Sequence, residues 1–194
     1  MRFGKPLLFA LSLLPLGLLG YRLAGGQLGP DPAKALILFT GSWALNFLLL
    51  TLLVSPLRRW LGRPSLIRYR RMLGLFCFFY ASLHALSVAT YLLGWDWAVF
   101  QEELRERPYM LVGFAAWLTL LPLALTSNRY SLKKLGRRWA KLHKLVYLSL
   151  GLAVLHLVWL IRSDYLEAAL YVLAAIFLLA WRLSQSLRQR ISGP

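Results

Sequence analysis

The sequence predicts an all-α integral membrane protein, a single domain over residues 1–194 that folds as a bundle of six transmembrane helices. Of its 194 residues 59% are hydrophobic, and the mean hydropathy is +0.58, whereas soluble domains are about 45–50% apolar. Six separate stretches stay apolar over about 20 residues, the length that crosses a bilayer. The one cysteine, Cys77, lies inside such a stretch, so no disulfide can form within the chain. No internal repeat is apparent.

Turn-forming residues separate the first three spans. The first span is expected to remain in the protein as a membrane helix, because no small-residue cleavage site of a signal peptide follows it. Gly25 and Gly26 end this span, and the segment from Pro56 to Pro64 ends the second. Gly94 ends the third span.

Polar residues separate the remaining spans. The segment 96–107, after the third span, is expected to form a short helix at the membrane surface. Ser127 and Asn128 end the fourth span, and the polar residues 162–164 turn the fifth into the sixth. The six spans are expected at residues 7–24, 36–56, 72–93, 109–126, 145–161 and 166–182.

Charged residues predict the orientation of the bundle. All seven acidic residues lie at one set of helix ends, with only five of the 23 basic residues: Arg22, Lys34, Arg105, Arg107 and Arg162. Because loops rich in Lys and Arg stay in the cytoplasm, both termini and the loops at 57–71 and 127–144 are expected there. The net charge of +16 then reflects this topology and allows contacts with anionic lipids. No nucleic-acid partner is expected.

Histidines within apolar segments are the candidate functional residues, since ionisable groups inside a membrane are costly and usually have a function. His84 lies in the third span and His156 in the fifth, and these two helices run in the same direction. His84 follows Arg71 by 13 residues and His156 follows His143 by 13 residues, so both are expected at one depth in the outer half. Two imidazoles at one level on facing helices are the ligand set of a bis-histidine haem.

His143 is expected near the inner surface, level with Arg70 and Arg71. Arginine stays protonated and cannot bind iron, but it can pair with a haem propionate or a flavin phosphate. If residues 139–161 form one ideal helix, 13 residues turn His143 roughly 140° away from His156. Either a local distortion corrects this angle, or the two histidines serve different sites.

Other interpretations of these residues stay open. A membrane histidine can simply hydrogen-bond to a neighbouring helix, and Tyr80, one turn before His84, suits ordinary packing as well as a contact with a haem edge. No CxxCH motif is present, so a haem would be of the non-covalent b type. No carboxylate lies in the middle of a span, which counts against proton-coupled transport. A small permease or channel, or a non-redox membrane anchor with structural histidines, remains an alternative.

Four segments resemble the MsrQ family, formerly called YedZ. They are LGPDPAKALILFTGSWAL at 28–45, RRMLGLFCFFYASLHALS at 70–87, RPYMLVGFAAWLTLLPLALTSN at 107–128, and LGRRWAKLHKLVYL with LHLVW between 135 and 159. This family supplies the haem-binding membrane subunit of the bacterial MsrPQ methionine sulfoxide reductase system. Its wider relatives are the ferric-reductase-like transmembrane domains, which typically carry histidine pairs on two helices, whereas the third span here carries His84 alone.

The resemblance implies a multi-pass electron-transfer subunit of the bacterial inner membrane. It would pass electrons from the quinone pool, or from a cytosolic flavin reductase, to the periplasmic molybdopterin enzyme MsrP. MsrP would itself reduce methionine sulfoxide and so repair oxidised periplasmic proteins. The implied cofactors are one haem b or two, with FMN alongside.

The resemblance also implies roles for individual residues. His84 and His156 would bind the iron of an outer haem, and His143 would serve an inner haem or another cofactor. MsrP is expected to dock on the acid-bearing outer segments 96–107 and 162–167. The candidates for binding a propionate or a flavin phosphate are Arg70, Arg71, Arg137 and Arg138.

Overall fold

The computed structural model describes residues 4–161 and 165–191, and within them the chain forms helices joined by short connections. Six of these helical segments are long and apolar enough to cross a membrane, which confirms the predicted all-α bundle of six spans. The helices are α1 (Gly4–Ala24), α2 (Pro32–Trp60), α3 (Ile67–Tyr91), α4 (Trp97–Glu106), α5 (Pro108–Leu125), α6 (Arg129–Leu135), α7 (Arg137–Leu142), α8 (Leu145–Leu160) and α9 (Tyr165–Ile191).

Two helices are longer than the predicted spans: α2 begins earlier and α9 ends later. α2 begins at Pro32 rather than at residue 36, because the Asp31 side chain accepts a hydrogen bond from the Lys34 backbone N–H at 2.9 Å. Proline at the first helical position suits this start, since its missing N–H would have no partner there. α9 continues to Ile191, beyond the predicted end at residue 182.

A turn at His143 and Lys144 separates α7 from α8, so residues 139–161 do not form one ideal helix, and α8 agrees with the expected span at 145–161. His143 is the C-terminal cap of α7, with φ −68° and ψ −4°. The angle between His143 and His156 therefore does not follow from ideal helix geometry.

Two helix pairs form the centre of the bundle. α2 packs along α3, α5 packs along α8, and a contact between α3 and α5 joins the pairs. α9 covers α8 and α2, while α1 packs against α3 and α2. The Tyr80 hydroxyl, which is fully buried, donates a hydrogen bond to the Ser12 carbonyl at 2.9 Å and so links α3 to α1.

The short helix α4 lies where the sequence predicts one. Asp96 caps it by accepting hydrogen bonds from the backbone N–H groups of Ala98 and Val99, and the Phe100 ring packs on Phe114 of α5. At its end, Arg107 pairs with Glu103 at 3.0 Å. The Tyr109 hydroxyl, together with that carboxylate, raises the pKa of Arg107.

Candidate functional site

His84 on α3 and His156 on α8 face each other across a cavity. Their ring centroids are 6.2 Å apart and the ring planes are inclined at 75°. Both histidines lie towards the acid-bearing ends of their helices, since α3 ends at Tyr91 and α8 at Leu160. The cavity has a volume of about 640 Å³, within the roughly 300–1,000 Å³ usual for small-molecule and cofactor sites.

Each imidazole is oriented by a backbone carbonyl of the neighbouring helix. His84 Nδ1 lies 2.9 Å from the carbonyl oxygen of Ile37 on α2, and His156 Nδ1 lies 2.7 Å from that of Tyr109 on α5. A carbonyl only accepts, so Nδ1 is the protonated nitrogen of each ring and Nε2 carries the free lone pair. Metal-binding histidines are typically oriented in this way, by a hydrogen bond from the second ring nitrogen.

Glycines make room for the two rings. A Cβ atom at Gly41 would lie 3.0 Å from His84 Nδ1, and one at Gly113 would lie 2.7 Å from His156 Nδ1. Gly41 and Gly113 each lie one helical turn after the carbonyl that orients the ring. The sequence alone did not single out either glycine, because glycine is common in membrane helices.

The carbonyl, the glycine and the histidine recur at a constant offset of 72 residues, which reveals a repeat that was not apparent in the sequence. In each set the histidine follows the carbonyl residue by 47 positions and the glycine follows it by four. The other side chains of the two helix pairs differ too much for sequence similarity to show the repeat. The two sets are Ile37, Gly41 and His84, and Tyr109, Gly113 and His156.

The cavity wall is mainly apolar and includes aromatic residues at the acid-bearing end. Trp95 and Trp97 line it there, and Trp95 adopts a positive φ of 60°, which costs free energy for a bulky residue. In its middle the Trp117 indole Nε1–H donates to Ser82 Oγ at 3.1 Å. Within the described part of the chain, no Lys or Arg side chain lines this cavity.

Tyr80 does not reach the cavity, although it lies one turn before His84. Its side chain points towards α1, where its hydroxyl is bonded to Ser12, and its ring stacks on Phe47 at a centroid distance of 5.2 Å. The structure therefore places Tyr80 in the packed core between helices.

The predicted inner-site residues lie at the other end of the bundle. His143 Nε2 is 3.1 Å from Thr126 Oγ1, and the imidazole stacks on Trp139 with centroids 3.8 Å apart. Arg70 is close enough for its charge to act on His143, and its guanidinium donates to Ser55 Oγ at 3.3 Å. The other three predicted anion-binding residues are exposed: Arg71, Arg137 and Arg138.

The geometry of the histidine pair suits haem better than a bare metal ion. Within residues 4–161 and 165–191, no group of three or more His, Cys, Asp and Glu side chains could hold a metal ion. Haem iron needs only axial ligands from the protein. Because an imidazole nitrogen binds a transition metal at about 2 Å, the centroids of two in-line ligands lie roughly 6 Å apart, in agreement with the observed 6.2 Å.

Comparison with known proteins identifies the family. Residues 40–154 match the family described as ferric reductase like transmembrane component, so the chain is a multi-pass membrane protein of the ferric-reductase-like class. It is 46% identical over 192 residues to the protein-methionine-sulfoxide reductase heme-binding subunit MsrQ of Xanthomonas euvesicatoria pv. vesicatoria (strain 85-10), covering 96% of this chain and 88% of that relative. MsrQ of Polaromonas naphthalenivorans (strain CJ2) is 44% identical over 181 residues, covering 92% of this chain and 83% of the relative.

The chain belongs to the MsrQ family, which confirms the resemblance of the four sequence segments. No solved structure matches it.

Proposed function

We propose that the protein is a b-type haem electron-transfer subunit of a methionine sulfoxide reductase system. The observation that carries this proposal is the facing pair His84 and His156, with each Nδ1 bonded to a carbonyl and each Nε2 left for iron. Membership of the MsrQ family supports it, because its curated relatives are named heme-binding subunits.

In this proposal the chain binds, orients and insulates the cofactor. When bound, haem supplies a centre that accepts and releases one electron. The carbonyls of Ile37 and Tyr109 each accept the Nδ1–H of one imidazole, which would leave Nε2 as the ligating nitrogen. The mainly apolar cavity wall would lower the local dielectric around the cofactor and so influence its reduction potential. Trp95 and Trp97, which are exposed, line the cavity at its acid-bearing end.

The proposed orientation places both termini in the cytoplasm of a bacterium and the histidine pair near the periplasmic side of the inner membrane. Support comes from the basic residues, which lie mostly at one set of helix ends. Electrons would enter from the quinone pool or a cytosolic flavin reductase, and leave to the periplasmic molybdopterin enzyme MsrP. Residues 96–107 would form part of the docking surface. The other predicted docking segment, 162–167, includes residues 162–164, which lie outside the described residues.

A second cofactor, haem or FMN, is proposed for the inner end of the bundle. His143 and Arg70 lie near each other there, which supports an anion-binding role for that region. Arg71, Arg137 and Arg138 are exposed on the same side and would contact a phosphate or a propionate. Binding through His143 Nε2 would require the ring to leave Thr126.

The test compares His84→Ala and His156→Ala with His143→Ala in the full-length protein, purified in detergent. We expect the first two variants to lose the outer haem absorption band and His143→Ala to keep it. Size-exclusion elution like that of the original protein shows that the variants remain folded. A full haem spectrum in His84→Ala would overturn the ligation. A folded original protein without haem, but with solute flux in liposomes, would favour the permease alternative.

A further inference from the structure

We infer that Gly41 and Gly113 are positioning residues for the histidine pair, and that they determine the direction in which each imidazole points. The role rests on the proposed function, since it concerns the ligation of haem by His84 and His156. Each half of the site would then consist of one repeated set, which contains a carbonyl, a glycine and a histidine.

Helix geometry explains why the small residue lies four positions after the carbonyl. In an α-helix, the carbonyl of one residue accepts the N–H of the residue four positions later. The Ile37 carbonyl is therefore directed along the helix towards residue 41. A side chain from α3 that reaches this carbonyl must lie against the backbone of residue 41. The same holds for Tyr109 and residue 113 on α5.

The distances show that a side chain at position 113 would overlap the ring of His156, and that one at position 41 would fit only if the ring of His84 shifted slightly. A methyl group at position 113 would lie 2.7 Å from both Nδ1 and Cε1 of His156, closer than real Cβ contacts come. At position 41 it would lie 3.0 Å from Nδ1 and 3.1 Å from Cε1 of His84. The overlap at both positions falls on the edge of the ring that contains the bonded nitrogen.

An added methyl group would therefore act on ring orientation. To relieve the overlap, the imidazole must move away from the helix, which lengthens its hydrogen bond to the carbonyl and tilts Nε2. Replacing such orienting groups typically lowers metal affinity by about 10–100-fold. The closer contact predicts a larger effect at position 113 than at position 41.

The chain provides a matched control on the same helix as one of the histidines. Gly151 lies on α8, five residues before His156, and a Cβ atom there would meet nothing within 4 Å. Gly151→Ala repeats the same chemical change without touching an imidazole, so it isolates the effect of contact with the ring.

The experiment prepares Gly113→Ala, Gly41→Ala and Gly151→Ala in the full-length protein and loads them with haem. Three readouts follow: haem release to apomyoglobin, the low-spin electron paramagnetic resonance signal, which depends on imidazole orientation, and the midpoint potential. We expect haem affinity to fall by about 10-fold or more in Gly113→Ala and by less in Gly41→Ala, with a shifted resonance signal in both. Gly151→Ala should match the original protein.

Folded Gly113→Ala and Gly41→Ala proteins with the release rate, resonance signal and potential of Gly151→Ala would overturn the inference. If Gly113→Ala does not fold, the milder overlap in Gly41→Ala decides the outcome by the same readouts. The His84→Ala variant separates the two proposals. Loss of haem there, with unchanged glycine variants, refutes only the positioning role, whereas retention of haem refutes the proposed ligation itself.

Discussion

The acid-bearing and basic ends of the bundle, which are the outer and inner ends in the proposed orientation, hold histidines in opposite ways. At the outer level, the ring centroids of His84 and His156 are 6.2 Å apart, and each ring bonds through Nδ1, not Nε2, to a backbone carbonyl. At the inner level, His143 uses Nε2 for Thr126 and places its ring face on Trp139. The repeat offset of 72 residues pairs His143 with Arg71, which is exposed.

This difference shows which feature of a histidine indicates a ligand. Burial in an apolar helix does not distinguish the three histidines, because all of them are partly buried. The bonded ring nitrogen does distinguish them, since it is Nδ1 in His84 and His156 but Nε2 in His143. The outer pair has the hydrogen-bond pattern of metal-binding histidines, whereas His143 has the pattern of a residue that links two helices.

The largest expected effect is a shift of the haem midpoint potential when one of the two proposed outer ligands is replaced. His156→Met should keep haem bound but raise the midpoint potential, because a thioether stabilises reduced iron relative to imidazole. The expected shift is on the order of 0.1 V, within the roughly 0.8 V that axial ligands span. Redox titration followed by absorbance measures it, and His143→Met is the control. An equal shift of the midpoint potential in His143→Met would contradict the proposed difference between the outer pair and His143.

A smaller effect is expected when the inner hydrogen bond is removed. Thr126→Val deletes the hydroxyl that contacts His143, which should destabilise the protein by about 1 kcal/mol, as interhelical hydrogen bonds in membranes do. Thermal unfolding followed by circular dichroism measures the change. The outer haem spectrum should stay the same. A spectral change would show that the two levels are coupled.

A third substitution tests the cavity wall between the two levels. Trp117→Phe removes the hydrogen bond to Ser82 and keeps an aromatic ring against Phe78. We expect haem to remain bound with a loss of stability of roughly 0.5–1 kcal/mol, the net contribution of one such hydrogen bond. Ser82→Ala should give a similar loss. If Trp117→Phe instead releases haem, the indole contributes to binding and not only to packing.

The smallest effect is expected at the inner position that corresponds to His143 in the repeat. Arg71→Ala changes an exposed side chain, and exposed substitutions usually alter stability by less than about 0.5 kcal/mol. Thermal stability and the outer haem spectrum should both match the original protein. A loss of FMN or of a second haem in this variant would support the proposed inner cofactor.

Hydropathy and charge were sufficient to predict the six spans, because each span must satisfy its backbone and bury apolar side chains by itself. The matched depth of His84 and His156 also followed from local counting along two parallel helices. The turn at His143 could not be predicted in this way, because the basic stretch 137–144 contains no Gly or Pro to mark it. The contacts of Gly41, Gly113 and Tyr80 depend on which neighbouring helix approaches them, and one-dimensional periodicity does not contain that information.

The depth of the histidine pair has an electrical consequence. Both residues lie nearer the acid-bearing ends of their helices than the basic ends, so in the proposed orientation a negative charge carried from the cytoplasm to this level crosses most of the bilayer. The free energy of an elementary charge that crosses the whole membrane changes by about 2.3 kcal/mol per 100 mV of membrane potential. Because the cytoplasm is the negative side, the membrane potential would drive electrons outwards. An uncoupler should therefore slow electron transfer to the periplasm.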